Sequence, residues 1–188
     1  MDVFLRQVMS KEEMDLALSR IAAEIVEDHP DLGNTVMVGI RRRGVPLAER
    51  LQSKMAQLAG VTVPLGFLDI TFYRDDFSLI SSQPVVEGSH LDFDVDARQV
   101  IMVDDVLYTG RTTRAGLDSV IDYGRPKKVE LVVLIDRGHR ELPIQADYVG
   151  KYVETAANEV VEVRIPPIDE DEAVYLSTFE LLQEASTS

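Results

Sequence analysis

The sequence predicts an α/β protein, a central parallel sheet with helices on both faces. Three observations carry that expectation. Short apolar runs rich in β-branched residues recur at 35–40, 99–103 and 129–135, each bounded by turn residues. Segments with helical spacing and capping signals lie between them, so strand and helix alternate along the chain. Charged residues and glycines gather just after the apolar runs, where an open α/β sheet binds its ligands.

The elements follow in order. Ser10 and Glu13 form a capping box, and Met14, Leu18, Ile21 and Ile25 then recur at helical spacing. That spacing predicts a helix from Ser10 to about Glu27, stopped by His29-Pro30. Thr35 to Ile40 reads as a buried strand. Pro46 opens a second helix through Leu58, because proline is tolerated in a first turn. Residues 61–72 predict another strand, with Val63, Leu65, Phe67 and Ile70 as its apolar positions. From Tyr73 to about Ala97 the chain is polar, and such a stretch predicts a flexible lid, or a short hairpin around Pro84-Val85-Val86. Gln99 to Val103 is the clearest strand. The helix after it, Arg111 to Tyr123, ends at Gly124 and Pro126. Val129 to Ile135 and short strands near 147–149 and 160–165 complete the alternation. A single domain over 1–188 is expected, with an acidic C-terminal segment over about 169–188.

Composition removes several function classes. There are 19 Lys+Arg against 33 Asp+Glu, a formal charge of −14, which argues against a general nucleic-acid binder. The absence of cysteine excludes disulfides, thiolate zinc sites and cysteine nucleophiles. His29, His90 and His139 are far apart in sequence, which argues against a histidine zinc site. No apolar run approaches the roughly 20 residues of a membrane span, and Met1 to Ser10 lacks a signal-peptide layout. The expected location is cytoplasmic. Basic residues are nevertheless clustered, at Arg41-Arg42-Arg43 and from Arg111 to Arg140. Local cationic sites on an acidic body suggest a small, highly charged anionic ligand.

Three strand-end turns carry the chemistry. In Val103-Asp104-Asp105-Val106-Leu107-Tyr108-Thr109-Gly110-Arg111-Thr112, two carboxylates leave a buried strand and a Thr-Gly-Arg-Thr turn opens a helix. A helix N-terminus presents unpaired N–H groups to a phosphate, Gly110 allows close approach, and Thr109 and Thr112 add hydroxyl donors. Carboxylates beside a phosphate need another partner, and vicinal sugar hydroxyls or a divalent cation fit. The turn therefore implies a ribose 5-phosphate. The second turn, Gly39-Ile40-Arg41-Arg42-Arg43-Gly44, has the glycine spacing of a P-loop. Val45-Pro46 replaces the Lys-Ser/Thr that motif requires, leaving a cationic loop suited to a second phosphate group. The third turn is Asp136-Arg137-Gly138-His139-Arg140-Glu141. His139 is open to a general-base role, but a lone histidine in a charged loop more often binds or caps.

Residues 100–112 (Val100, Ile101, Met102, Val103 and the turn just described) resemble the phosphoribosyl pyrophosphate (PRPP) motif of type I phosphoribosyltransferases. Together with Asp69-Ile-Thr-Phe-Tyr-Arg-Asp-Asp76 and Asp136-Arg-Gly-His-Arg-Glu-Leu-Pro143, they resemble one family in particular. That family is the bifunctional pyrimidine operon attenuation protein/uracil phosphoribosyltransferases, called PyrR. The likeness runs from about Met14 to Arg164 in the same order.

The resemblance implies the type I phosphoribosyltransferase fold with a lid and a small hood. It implies the reaction of uracil and PRPP to UMP and pyrophosphate, with Mg²⁺, in a homodimer or homotetramer. Residues 106–112 would cradle the 5-phosphate, Asp104 and Asp105 would hold the ribose hydroxyls, and Arg41 to Gly44 would form the pyrophosphate loop. Arg74 would act from the lid. Asp136, Arg137, Gly138 and His139 would lie on the uracil side, with Asp136 joining Asp104 and Asp105 in placing the metal, partly through substrate or water. Purine members usually carry an acid directly before Thr-Gly, where this chain has Tyr108, which fits a pyrimidine. The family also implies UMP-dependent binding to an attenuator stem-loop in pyrimidine-gene mRNA. Ser19, Arg20, Arg140 and Lys151 are then the candidate RNA contacts, while Ala23 stands where a histidine is common.

Two rival classes are separable. A nucleotide-sensing RNA regulator with little or no catalysis would need an impaired pyrophosphate loop or lid, yet Arg41 to Gly44 and Tyr73 to Asp76 match the pattern. A phospho-receiver domain would place its acid pair after the first strand, where this chain has arginines.

Overall fold

The structure is a computed structural model and describes residues 6–73 and 88–178. A short strand β1 (Arg6–Met9) leads into α1 (Lys11–Asp28). The capping box closes as its sequence requires: Ser10 Oγ accepts from the Glu13 amide at 3.2 Å, and the Glu13 carboxylate accepts from the Ser10 amide at 2.7 Å. β2 (Thr35–Ile40) follows, then α2 (Gly44–Ala59), β3 (Leu65–Leu68), β4 (Gln99–Leu107), α3 (Arg111–Tyr123), β5 (Lys128–Asp136) and β6 (Tyr148–Tyr152). β2 to β6 form one parallel sheet in the order β3-β2-β4-β5-β6.

Alternation along the central strands builds two cores, one on each face. Met37, Ile101 and Val103 face α1 and α2 and pack with Met14, Leu18, Leu47 and Leu51. Val36, Val38, Val100 and Met102 point the other way and pack with Ala115 and Val120 of α3. The central strands are buried on both faces, which is why they read as continuous apolar runs.

Several expected boundaries differ. The strand expected over 61–72 is only Leu65–Leu68, with a 3₁₀ turn at Thr71–Tyr73. Pro64 has no amide to donate, and its carbonyl ends the pairing by accepting from the Met37 amide at 2.8 Å. Gly66 and Leu68 are the buried positions of β3, whereas Leu65 and Phe67 are partly covered. β4 does not stop at Val103; it continues through both acids to Leu107, because β5 pairs with it that far. α2 begins at Gly44, two residues before Pro46. The strand expected near 160–165, β7 (Glu159–Arg164), is not in the parallel sheet. It pairs antiparallel with β8 (Ala173–Thr178), which also pairs with β1, giving a three-stranded sheet β1-β8-β7. This small sheet is the hood, and part of the acidic segment is therefore strand. Both the hairpin expected around Pro84 and Arg74, expected to act from a lid, lie outside the described residues.

At the amino end of the sheet, away from the turns, His29 and Glu130 form a buried pair. His29 Nε2 lies 2.5 Å from the Glu130 carboxylate, and its Nδ1 lies 2.8 Å from the Ile25 carbonyl. Lys128 Nζ reaches the other Glu130 oxygen at 2.7 Å. Breaking one partner of a buried pair leaves the other uncompensated. His29→Leu is expected to cost about 3 kcal/mol in chemical denaturation with no change in ligand affinity. A loss well under 1 kcal/mol would show that Lys128 alone satisfies Glu130.

Candidate active site

The strand order reverses between β2 and β4, since β3 lies on one side of β2 and β4 on the other. Beyond the carboxyl ends of these strands opens a cavity of about 570 Å³. It is lined by Ile40 at the end of β2 and residues 41–43 after it, by 69–71 after β3, by Asp104, Asp105 and Val106 near the end of β4, and by Thr112 in the first turn of α3. A topological switch point is where an open α/β sheet has room for a ligand. Turns distant in sequence thus meet in one place.

The cationic loop sits where it does because glycine allows it. A Cβ on Gly44 would overlap the Val103 carbonyl oxygen, so the start of α2 lies directly on the end of β4. The Arg41–Arg42 peptide bond is cis. Arg41 Nε donates to the Gly88 carbonyl at 3.1 Å, with its guanidinium 5.6 Å from the Phe67 ring centre. Arg42 is exposed. Arg43 makes a fork to Asp169, Nε to Oδ2 at 3.0 Å and Nη2 to Oδ1 at 2.8 Å. That hydrogen bonding raises the Arg43 pKa and holds Asp169 below the usual carboxylate range.

Asp104 and Asp105 close the other wall. Asp104, only 5% exposed, accepts the Asp105 amide at 2.9 Å, and Asp105 accepts the Val106 amide at 2.8 Å. Burial pushes the Asp105 carboxyl above its ordinary range, against hydrogen bonding with Asp104 and the Val106 amide and the charge of Arg43. Two residues after Tyr108, Gly110 adopts φ +93° and becomes the N-cap of α3, with no side chain capping the helix. The Arg111 amide contacts Thr109 Oγ1 at 3.3 Å, and the Arg111 guanidinium binds Glu141 at 2.9 Å. A helix start whose N-cap residue carries no side chain, beside a cavity, can seat an anion. Val100 to Val103 and Leu107 are buried core, so they place this turn rather than line it.

The third turn folds onto the first. The Arg137 amide donates to the Leu107 carbonyl, and the Glu141 and Leu142 amides to the Thr109 carbonyl. The Asp136 carboxylate takes Arg140 Nη2 on both oxygens, at 2.8 and 2.7 Å, and the Gly138 amide at 2.9 Å. Arg137 is 6% exposed. Its guanidinium lies 4.0 Å from the Tyr108 ring centre and donates to the Glu159 carbonyl at 2.7 Å. Burial lowers its pKa. His139 takes a left-handed φ of 61°, with Nε2 2.7 Å from the Thr155 carbonyl and its ring edge-on to Tyr108. Tyr108 itself stays 38% exposed at the mouth of this turn.

The remaining candidates lie elsewhere. Ser19 Oγ accepts from Lys54 at 2.8 Å. Arg20 binds Glu24 and donates Nη2 to the carbonyls of Val149 and Gly150, at 2.9 and 2.8 Å. Lys151 donates to the Val8 carbonyl at 2.7 Å. Arg20 and Lys151 thus share the β6 edge, while Arg140 is committed to Asp136 and to the carbonyls of Tyr108 and Ile144.

Among the described residues no three His, Asp or Glu side chains converge as a metal cage. Asp104 and Asp105 nevertheless offer hard oxygens on the cavity wall, and a Mg²⁺ carried on phosphates needs only one or two carboxylates. Among the described residues no helix is long and apolar enough to cross a membrane.

Asp69, which lines the cavity, and Asp169, which pairs with cavity-lining Arg43, were not singled out from sequence. Asp69 holds the Thr71 amide and hydroxyl at 3.0 and 2.5 Å and the Gly88 amide at 3.1 Å. Its place at the head of the Asp69–Asp76 stretch was the signal. Asp169 had no local signal, since its partner Arg43 lies far away in sequence.

Comparisons agree with this geometry. The family model "Phosphoribosyl transferase domain" matches residues 6–166. The "Bifunctional protein PyrR" of Pelotomaculum thermopropionicum is 55% identical over 170 residues, covering 90% of this chain and 94% of that one. The protein of the same name from Deinococcus radiodurans is 53% identical over 176 residues, 94% of this chain and 96% of its own. A hypoxanthine phosphoribosyl transferase of Trypanosoma cruzi superposes over 100% of both chains with TM-score 0.76 at 18% identity. At that identity the likeness shows the fold alone.

Proposed function

Because the chain belongs to the PyrR family of phosphoribosyltransferases, we propose that it transfers the phosphoribosyl group of PRPP to uracil and also acts as a UMP-dependent RNA attenuator. One observation carries the enzymatic reading. The acid pair, Thr112 in the first turn of the Gly110-opened helix, and the arginine loop line a single cavity. That is a seat for a sugar with phosphate at both ends.

On this reading the α3 N-terminus and the Thr109 and Thr112 hydroxyls hold the 5-phosphate. Asp104 and Asp105 accept hydrogen bonds from the ribose hydroxyls. The arginine loop, with Arg74 of the lid, takes the pyrophosphoryl group. The bond from the ribose anomeric carbon to pyrophosphate breaks as the bond to uracil N1 forms, and the N1 proton passes to water. Charge gathers on the departing oxygens, so cations fixed beforehand on that side lower the barrier. Asp104 and Asp105 would hold, directly or through substrate or water, a Mg²⁺ bound with the pyrophosphoryl group, which would supply further neutralisation. Asp136 contributes by fixing Arg140 and the turn, and Tyr108, Arg137 and His139 shape the base side.

The test is UMP formation from uracil, PRPP and Mg²⁺, with hypoxanthine and orotate as competing bases. Turnover of uracil alone is expected. Turnover of hypoxanthine would overturn the base assignment. For the regulatory half, UMP is expected to tighten binding to a pyrimidine-operon stem-loop, and Arg20→Ala to weaken it while sparing UMP formation. Binding unaffected by UMP would remove the attenuator role. A regulator without turnover is not favoured, because the arginine loop and both acids stand together at the cavity.

A further inference from the structure

We infer that Asp169, in the hood, is a positioning residue for the transfer reaction: it holds the Arg43 guanidinium so that its remaining donors serve the pyrophosphoryl end of the cavity. The inference rests on the proposed transferase reading. Arg43 lies immediately before α2 and lines the cavity. A guanidinium has five N–H donors. Two go to Asp169, and the other three (5 − 2) make no hydrogen bond among the described residues. The fork fixes the plane of the group and leaves one edge for an anion.

Asp169 is itself held rigidly. Its Oδ2 accepts the Ile165 amide at 2.9 Å, and its own amide donates to the Ile165 carbonyl at 3.0 Å. The same hood turn is tied to α2 a second time, by Glu172 to Arg50, with Lys11 Nζ 3.9 Å from Glu172. Arg43 also feels the charge of Asp105. Without Asp169, Asp105 and Glu162 remain as the carboxylates whose charge reaches Arg43, and Asp105 lines the cavity beside it. An arginine drawn to Asp105 would leave the pyrophosphoryl side and occupy an acid needed for ribose hydroxyls. Asp169 keeps the two functions apart. The pair stays charged because each partner's pKa is displaced in the direction that favours ionisation.

The experiment compares Asp169→Asn, Asp169→Glu and Glu172→Gln with the unmodified protein. Steady-state KM for PRPP and for uracil, kcat and thermal midpoint are measured for each. Asp169→Asn is expected to raise KM for PRPP roughly tenfold while KM for uracil stays within about twofold. Asp169→Glu should recover most of that loss. Glu172→Gln loosens the same hood turn away from the cavity, so it should lower the midpoint and leave KM for PRPP unchanged. Equal rises in KM for PRPP from Asp169→Asn and Glu172→Gln would overturn the inference, since hood docking alone would explain them. A fall in KM for PRPP in Asp169→Asn would also overturn it, by showing that Asp169 sequesters Arg43. If the unmodified protein makes no UMP, the transferase reading fails separately. PRPP affinity by calorimetry then replaces KM, with a tenfold loss supporting the inference and an unchanged affinity overturning it.

Discussion

Asparagine at Asp104 or at Asp105 is expected to lower kcat/KM for PRPP by roughly 10- to 100-fold each, in steady-state assays at saturating uracil. A hydrogen bond to a charged group is worth about 1.5–3 kcal/mol, and each substitution removes the charge while keeping the shape. The two losses should not add, because Asp104 and Asp105 are linked through a shared hydrogen bond and, on the proposed reading, act on one sugar. The pH profile separates them. Burial raises the Asp105 pKa, so its protonated form persists to higher pH than an ordinary carboxyl and cannot accept from a hydroxyl at those oxygens as an anion does. Activity therefore rises with pH through that raised pKa, giving an acid limb above the usual carboxylate range. Asp105→Asn should abolish that limb. Unchanged kinetics in both variants would sink the site assignment.

Gly44→Ala is expected to destabilise the protein by about 3 kcal/mol, near the upper end of what overpacking a close contact costs. For a chain of this length that is a fall in thermal midpoint of roughly 6–12 °C. A Cβ there overlaps the Val103 carbonyl, so either α2 or the end of β4 must move. Both carry site residues, Arg43 on one side and Asp104 on the other. KM for PRPP should rise along with the loss of stability. Gly60→Ala makes the comparison, since Gly60 caps the far end of α2 at φ +70° with open space around it. It should cost about 1 kcal/mol and leave PRPP affinity unchanged. Intact affinity in a destabilised Gly44→Ala protein would show that the arginine loop is held by something other than this approach.

Much of the helical structure was legible because its signals are local. The Ser10–Glu13 box, the Met14-Leu18-Ile21-Ile25 stripe and the Gly124 stop each lie within a few residues of what they decide, and α1 and α3 follow them closely. β3 was overextended because the apolar residues of 61–72 lie on both sides of Pro64, and the break there is a matter of missing hydrogen bonding rather than hydrophobicity. β1 and β8 were invisible for another reason. Arg6 pairs with Leu176, and a four-residue strand with only two apolar side chains shows its purpose only beside its partner.

The same division runs through the site. Sequence by itself determined which groups could do the chemistry: a strand ending in two acids, a glycine opening a helix, and arginines after another strand. These are properties of contiguous residues, so backbone geometry turns each into a loaded turn wherever it folds. Only the tertiary structure decided how each charge is used. Asp136 is committed to Arg140, Asp69 to the amides of Thr71 and Gly88, and Arg43 to Asp169, while Asp104 and Asp105 remain on the cavity wall. A salt bridge acts over a few ångströms of space, whatever the separation along the chain, so the pairing of charges appears only once the sheet order has brought the turns together.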